Sequence, residues 1–276
     1  MVPLDGTLFS LSTYRDIGEM WLRAGDLFDE NTNDEMAKAE SNLSTLFSGK
    51  DFAEEVLGAF KPEIQFIATR QDFSNAKAQP AIKLPAFAAV FALKDPETMR
   101  PDFQRTFKSL IGFLNVIGAQ NGHPQLDWDS KDNNGIEMIS AYYSPDRDEP
   151  DLKRARIHFN FSPSVAFVGD QMVVSSSREL SGQLAEALQK ASAAVSSATT
   201  NTAAILNVPT LRDVLQDNYS QLVAQNMLKE GRSRAEAEKQ IGILMTVLSL
   251  FKDASIKLQV ADNELSLNLA VQMQGE

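Results

Sequence analysis

The stretch Ile157–Lys190 constrains the fold most, because it joins three secondary-structure signals without a break. Its first residues, IHFNF, alternate apolar and polar side chains, which is the period of a strand with one apolar face. Two apolar runs then flank Gly169-Asp170, a dipeptide suited to a two-residue hairpin turn because it tolerates positive φ. An amphipathic helix pattern follows the hairpin. The stretch therefore predicts a strand, a hairpin and a helix. It indicates how this part of the chain folds, but it contains no pattern typical of a catalytic or binding site.

Three segments elsewhere begin with a similar plan, at Thr7, Ala86 and Ala203. Each reads as a short apolar strand, a polar residue that can cap a helix, a long helix, and then a strand or hairpin. They predict about three strand–helix–hairpin units at 5–73, 84–190 and 201–273, within one domain spanning 1–276. Chance similarity among strand–cap–helix junctions is the alternative, because identity between the segments is low.

The predicted fold class is α+β. We expect an antiparallel or mixed curved sheet with long helices packed on one face. Ala86–Leu93 is a continuous apolar run, which predicts a strand buried on both faces. The segment from Ile256 to Met273 predicts a hairpin around Asp262-Asn263, because apolar residues occupy every second position on both sides of that turn.

The last predicted strand leads to a specific expectation about burial. Period-two alternation places Leu267 and Leu269 on one face and Asn268 on the other. We expect Leu267 and Leu269 to be core residues covered by helices. Leaving that face open would instead expose an apolar strip prone to pairing.

Composition excludes several classes of function. The formal net charge of −11 disfavours nucleic acid and anionic membrane surfaces as partners, since both need a positive face. The chain has no cysteine, which removes disulfides, thiolate nucleophiles and cysteine-based metal sites. No apolar run approaches the roughly 20 residues of a membrane span. Glycine-rich phosphate-binding motifs are missing from the sequence, and no cofactor is predicted.

The densest cluster of oxygen ligands lies between Asp127 and Glu137. Asp127, Asp129, Asp132 and Glu137 are weak candidates for a metal site, because calcium loops place carboxylates at alternate positions. Lys131 occupies one of those positions and would put a positive charge beside the cation. A hairpin turn explains the same residues, since Asn-Gly favours a type I′ turn. The sequence therefore favours the turn over the metal site.

Two other groups invite a catalytic interpretation that the sequence does not favour. His123 lies in a Gly-Pro turn, and His158 lies on a strand-like segment with its side chain toward the polar face. Ser175-Ser176-Ser177 lacks the G-x-S-x-G pattern of a nucleophile elbow, and serines in front of a helix pattern are typical caps. No catalytic residue is predicted.

The phrase VAFVGDQMVVSSSRELSGQL, from Val165 to Leu184, resembles an uncharacterised family of bacterial cell-envelope proteins. The resemblance implies residence outside the cytoplasm, in the periplasm for example, and a curved antiparallel sheet carrying helices. It carries no catalytic residue across. A leader is usual in that family, whereas this sequence opens without a basic region followed by an apolar one, and a cytoplasmic location is the alternative.

These observations favour a non-enzymatic binding or structural module whose partner is an unknown protein or a small apolar ligand. Two alternatives stay open. One is a carrier of an apolar or lipid-like ligand, which needs a cavity between sheet and helices. The other is a metal-dependent hydrolase using Asp127, Asp129 or Glu137, which needs these carboxylates to converge in a cleft.

Overall fold

The computed structural model describes residues 4–133, 135–148, 150–190, 200–261 and 264–275. Within them, ten antiparallel strands form one open sheet in the order β10-β9-β8-β1-β2-β3-β7-β6-β5-β4, numbered along the chain. The strands are β1 (Thr7–Tyr14), β2 (Phe60–Thr69), β3 (Ala86–Leu93), β4 (Leu126–Asn133), β5 (Ile136–Tyr143), β6 (Ser164–Val168), β7 (Gln171–Ser175), β8 (Thr200–Asn207), β9 (Phe251–Ala261) and β10 (Glu264–Met273).

Helices fill the longer connections between these strands. Short π-helical and 3₁₀ turns (Phe52–Val56 and Leu57–Ala59) lead into β2. Among the described residues, no helix combines the length and the apolar character that crossing a bilayer requires. The α-helices are α1 (Ile17–Leu22), α2 (Ala24–Leu27), α3 (Glu30–Leu46), α4 (Pro96–Gln120), α5 (Pro145–Asp148), α6 (Arg178–Lys190), α7 (Val208–Asp217), α8 (Tyr219–Glu230) and α9 (Arg234–Leu248).

Local sequence signals set several helix ends. The Asp95 side chain accepts a hydrogen bond from the Thr98 N–H and caps α4, whose first residue is a proline. Gly231 ends α8 in the left-handed region with φ of 64°, where a residue without Cβ costs least. Ser233 then opens α9 with a reciprocal capping box to Glu236. Each of these signals acts over only a few residues of the sequence.

The α+β class and the open curved antiparallel sheet are confirmed. Helices lie on both faces of the sheet, whereas the sequence placed them on one. On one face, Leu180 and Leu184 of α6 pack on Val90 and Val173. On the opposite face, α4 and the segment before β2 pack on neighbouring residues of the same strands. That second cluster contains Phe52, Val56, Phe103, Val165, Phe167 and Met172.

The reason for this two-sided arrangement lies in β6 and its neighbours. Every residue of β6 is buried, so apolar side chains project from both faces of that strand. A helix layer on one side alone would leave half of them in water. α6 covers the face that α4 cannot reach, because it starts directly after β7 and folds back over β3, β5, β6 and β7.

The three units predicted from the sequence occupy contiguous parts of the sheet. β1 and β2 lie side by side, β3 to β7 continue on one side of them, and β8 to β10 continue on the other. The strand residues of the three buried clusters all come from β2 to β7. The part of the sheet formed by β8, β9 and β10 contributes none.

The segment before β6 differs from its prediction. Ile157, Phe159 and Phe161 alternate like a strand, but Ile157–Asn160 forms a 3₁₀ turn. Asn160 explains the difference, because its buried amide donates to Ile157 O and Ile82 O at 2.8 Å. These local hydrogen bonds offer the backbone an alternative to a sheet ladder. Asn134 and the predicted turn at Asp262-Asn263 lie outside the described residues, as do residues 191–199.

Candidate functional site

The open end of the sheet carries seven aliphatic side chains on one face, which we call the apolar strip. Cross-strand register places them together: Leu265 lies opposite Val260, Leu267 opposite Leu258, and Leu269 opposite Ile256. In an antiparallel pair, opposed residues point to the same face. The strip is formed by Ile256, Leu258 and Val260 of β9 and by Leu265, Leu267, Leu269 and Val271 of β10.

The apolar strip is open to solvent. Leu267 is 60% exposed and Leu269 is 69% exposed, so the expectation that these two residues are core is wrong. All of β10 is exposed on both faces. Alternation correctly predicts which side chains share a face, but it carries no information about what covers that face.

The helices nearest in sequence leave most of the strip uncovered, since six of its seven residues are at least 48% exposed. α7 lies against β9, β1 and β8, and α9 packs on α8 and α7. Ile243 and Val247 of α9 are themselves about half exposed, at 55% and 46%. The apolar residues of α9 and those of β10 therefore face solvent separately instead of burying one another.

The backbone edge of β10 adds a second feature to the same site. Among the described strands, β10 pairs only with β9, so its outer edge presents hydrogen-bonding groups without a strand partner. Natural edge strands are often protected by charge or proline. β10 contains no proline, and its one charged residue is Glu264 at its first position.

The other edge of the sheet shows the protection that β10 lacks. β4 carries Asp127, Asp129, Lys131 and Asp132 within eight residues. Its first backbone N–H and C=O, at Leu126, are both bound by the Asn115 side chain of α4, at 2.7 and 2.9 Å. The two edges of one sheet therefore differ sharply in their readiness to pair.

The same apolar face continues from the strip toward the middle of the sheet. The registers place Phe9, Phe66 and Phe87 on this face, with ring centroids 6.2 Å apart for the first pair and 6.4 Å for the second. Phe87 is 47% exposed, although its apolar run predicts a strand buried on both faces. β3 is covered on both faces only toward its C-terminal end, where Phe91 and Leu93 join the cluster under α4.

The carboxylates considered for a metal site point to two opposite faces. The regular β4–β5 register puts Asp127 and Asp129 on one face, and puts Asp132 and Glu137 directly opposite each other on the other. Asp127 is paired with Arg147 at 2.5 Å. Within the part of the chain that the structure describes, no group of three metal-ligating residues converges. The structure therefore does not bring the four candidates into one cleft.

Two of these carboxylates take part in side-chain contacts between helices and the sheet. Arg178 of α6 bonds Asp129 at 3.2 Å, on the face that α6 covers. Arg100 and Gln104 of α4 donate to Glu137 at 3.0 and 2.7 Å, on the face that α4 covers. Their oxygens hold helices against strands, which is a structural role.

The histidines and the serine triplet also have structural surroundings. His158 packs beside Tyr143 and Phe159, with ring centroids 4.4 and 4.5 Å away. His123 is exposed just after α4. In the triplet, the Ser175 hydroxyl donates to Ser177 O at 2.8 Å and accepts from Ser177 N–H at 3.1 Å. These hydrogen bonds fix the backbone just before the first residue of α6.

Two concave regions lie on α4. A groove of about 470 Å³ runs between α4 and the β4 edge, where Lys108 Nζ sits 5.1 Å from the centre of the Trp128 ring. A smaller one, of about 210 Å³, lies between α3 and α4 and includes Phe47 and Asp102. Both open at the surface, whereas tightly buried side chains fill the layers between helices and sheet.

Comparison with known proteins yields no relative: no family model, no curated protein and no solved structure matches this chain.

Proposed function

We propose that this protein is a non-enzymatic interaction module that docks another protein chain on the apolar strip. The observation that carries the proposal is the exposure of the strip, with Leu265, Leu267 and Leu269 each at least 60% exposed. The largest exposed apolar patch of a typical monomeric protein measures about 300–600 Å², and a patch of this size often marks an interaction site. Burying the strip against a partner would be strongly favourable.

A protein partner suits this surface better than a small molecule does. Small-ligand sites are concave and enclose most of the ligand, whereas the strip is the face of a two-stranded sheet extension. It lies beside an unprotected strand edge that can form backbone hydrogen bonds with another strand. A flat apolar face next to an open edge fits the side chains and backbone of a second polypeptide.

Site-specific photo-crosslinking in the cells that make the protein tests this function. A photoreactive phenylalanine analogue at Leu267 should give adducts with protein, identified by mass spectrometry. The same analogue at Asn268 is the matched control, because that side chain points to the opposite, polar face of β10. Equal adducts at both positions, or lipid adducts alone at Leu267, would overturn the proposal.

We also propose that the module works outside the cytoplasm, as the resemblance of Val165–Leu184 to bacterial cell-envelope proteins supports. The absence of cysteine is compatible with that location, where a free thiol is easily oxidised. Fractionation of the native cells would test it: recovery of the protein with the cytosolic fraction would contradict this location.

A further inference from the structure

We infer that the partner on the apolar strip is a second copy of this chain, packed face to face across a two-fold axis. This inference rests on the proposed function, since it names the occupant of the same surface. Most soluble oligomers are homo-oligomers, and a two-fold interface uses one patch twice. The patch must therefore be complementary to itself.

The strip meets the condition of self-complementarity. Its seven residues are aliphatic and carry no charge, although the chain has a net charge of −11. A second strip is thus a surface of the same length and chemistry, and bringing the two together places no like charges in contact. Two apolar sheet faces pack about 10 Å apart with their strands within about 30° of alignment, as in β-sandwiches.

The exposed area is of the size that a stable dimer needs. Relative exposure runs from 48% at Ile256 and Val260 to 70% at Leu265, while Leu258 is only partly exposed. With Leu258, these fractions correspond to roughly 600 Å² per chain, near the ~800 Å² that each partner contributes to a standard interface. The neighbouring residue Met273 would add to this area, because alternation along β10 places it on the same face.

The total accessible surface area of the chain also supports a partner on the strip. The accessible surface is 16211 Å². A compact monomer of this mass would expose about 12,000 Å². This chain exposes more than that, and β8 to β10 are among its uncovered parts, since they supply no residue to the buried clusters. A second copy would cover part of this surface on both chains at once.

Charge predicts how the association should respond to salt. Two chains of net charge −11 repel each other, while the strip itself contributes no ion pair that salt could weaken. Screening the repulsion should therefore strengthen the dimer as ionic strength rises. An interface based on salt bridges would respond in the opposite direction.

Sedimentation velocity on the purified full chain tests the inference. We expect the wild-type chain to sediment as a dimer at about 100 µM and to dissociate on dilution. Leu267→Asp should raise the dissociation constant at least ~100-fold, because it would bury unpaired carboxylates at the interface. Asn268→Asp, on the opposite face of the same strand, should leave the dimer intact.

Introduced cysteines test the geometry against a clean background, because the chain has no cysteine of its own. Leu269→Cys should give a covalent dimer with a short bis-maleimide linker, and Asn268→Cys should give little. A wild-type chain that stays monomeric at about 100 µM, or a Leu267→Asp variant that still dimerises, would overturn the inference.

These results separate the inference from the proposed function. One outcome is a purified chain that is monomeric while its Leu267 position still crosslinks to a different protein in cells. That result would overturn the inference that the partner is a second copy and would support an interaction module with another partner. A monomeric chain that instead floats with phosphatidylcholine vesicles, and gives no protein adduct at Leu267, would overturn both.

Discussion

Leu267 lies directly opposite Leu258 across the β9–β10 pair, and both side chains belong to a face that the described helices leave uncovered. The two residues form a hydrophobic cross-strand pair whose outer side meets water. Such a pair aligns the hairpin, and Leu267, which is 60% exposed, keeps most of its apolar surface available.

A first prediction concerns the covered half of the sheet, where α4 offers a matched comparison. Phe103 is 8% exposed and packs beside Phe60, with ring centroids 5.3 Å apart, whereas Phe113 on the same helix is 57% exposed. Phe103→Ala should lower the free energy of unfolding by about 3–5 kcal/mol. Phe113→Ala should change it by no more than about 1 kcal/mol. Urea unfolding followed by circular dichroism measures both, and similar losses would contradict the assigned helix face.

A second prediction concerns the turn between β6 and β7. Lys61 donates a hydrogen bond to Asp170 at 2.5 Å, and this bond holds the pKa of the Asp170 carboxyl below its ordinary value, against the opposing effect of burial. Because the folded pKa is below the unfolded one, the pair stabilises the fold above about pH 4 and this contribution disappears as pH falls through the folded pKa.

Asp170→Asn should therefore cost up to about 1 kcal/mol at pH 7, since the pair is nearly half exposed. The difference from the wild-type chain should shrink as the pH falls from about 7 to 2, through the folded pKa of Asp170. Urea unfolding at both pH values is the measurement. A difference that stays constant across this range would show that the carboxylate charge contributes nothing.

A third prediction concerns Asn160, which links the 3₁₀ turn to the loop before β3. Its side chain accepts from Leu84 N–H at 2.7 Å and donates to Ile82 O at 2.8 Å, in a site only 2% exposed. Asn160→Ala leaves these buried groups unpaired and should cost about 2–4 kcal/mol. Asn121→Ala removes an exposed bond to Ile117 O and should cost less than about 1 kcal/mol. Equal costs would show that the Asn160 network is not stabilising.

A fourth prediction concerns cations at the β4–β5 hairpin. Asp129 and Glu137 point to opposite faces and each is paired with an arginine. We therefore expect Ca²⁺ at millimolar concentration to leave the melting temperature unchanged, because a ligand that does not bind cannot shift the folding equilibrium. A saturable rise in the melting temperature that Asp129→Ala abolishes would contradict this expectation and would indicate a metal site at this hairpin.

Much of the local structure could be predicted because its causes lie within a few residues. The cap at Asp95, the capping box at Ser233 and the turn at Gly169, which has φ of 57°, all depend on short-range backbone geometry. The α+β class follows from the strand and helix periods. These features need no knowledge of distant parts of the chain.

Burial at the candidate site could not be predicted because it depends on what lies above a face. Leu267 and Val173 both sit in apolar strand patterns, yet one is 60% exposed and the other is fully buried under α6. The turn at Asn160 likewise depends on partners about 80 residues earlier in the chain. Alternation identifies a face, and only tertiary packing decides its environment.

The most direct test of the open strip compares two substitutions by equilibrium urea unfolding at submicromolar concentration, where association is negligible. Leu267→Asp places a carboxylate on the exposed face of β10, and Val173→Asp places one in the core beneath α6. We expect Leu267→Asp to unfold cooperatively, with a free energy of unfolding within about 1 kcal/mol of the wild-type value, and Val173→Asp to fail to fold. A Leu267→Asp chain that is unfolded in the absence of urea would show that the strip belongs to the core, which would contradict the central claim.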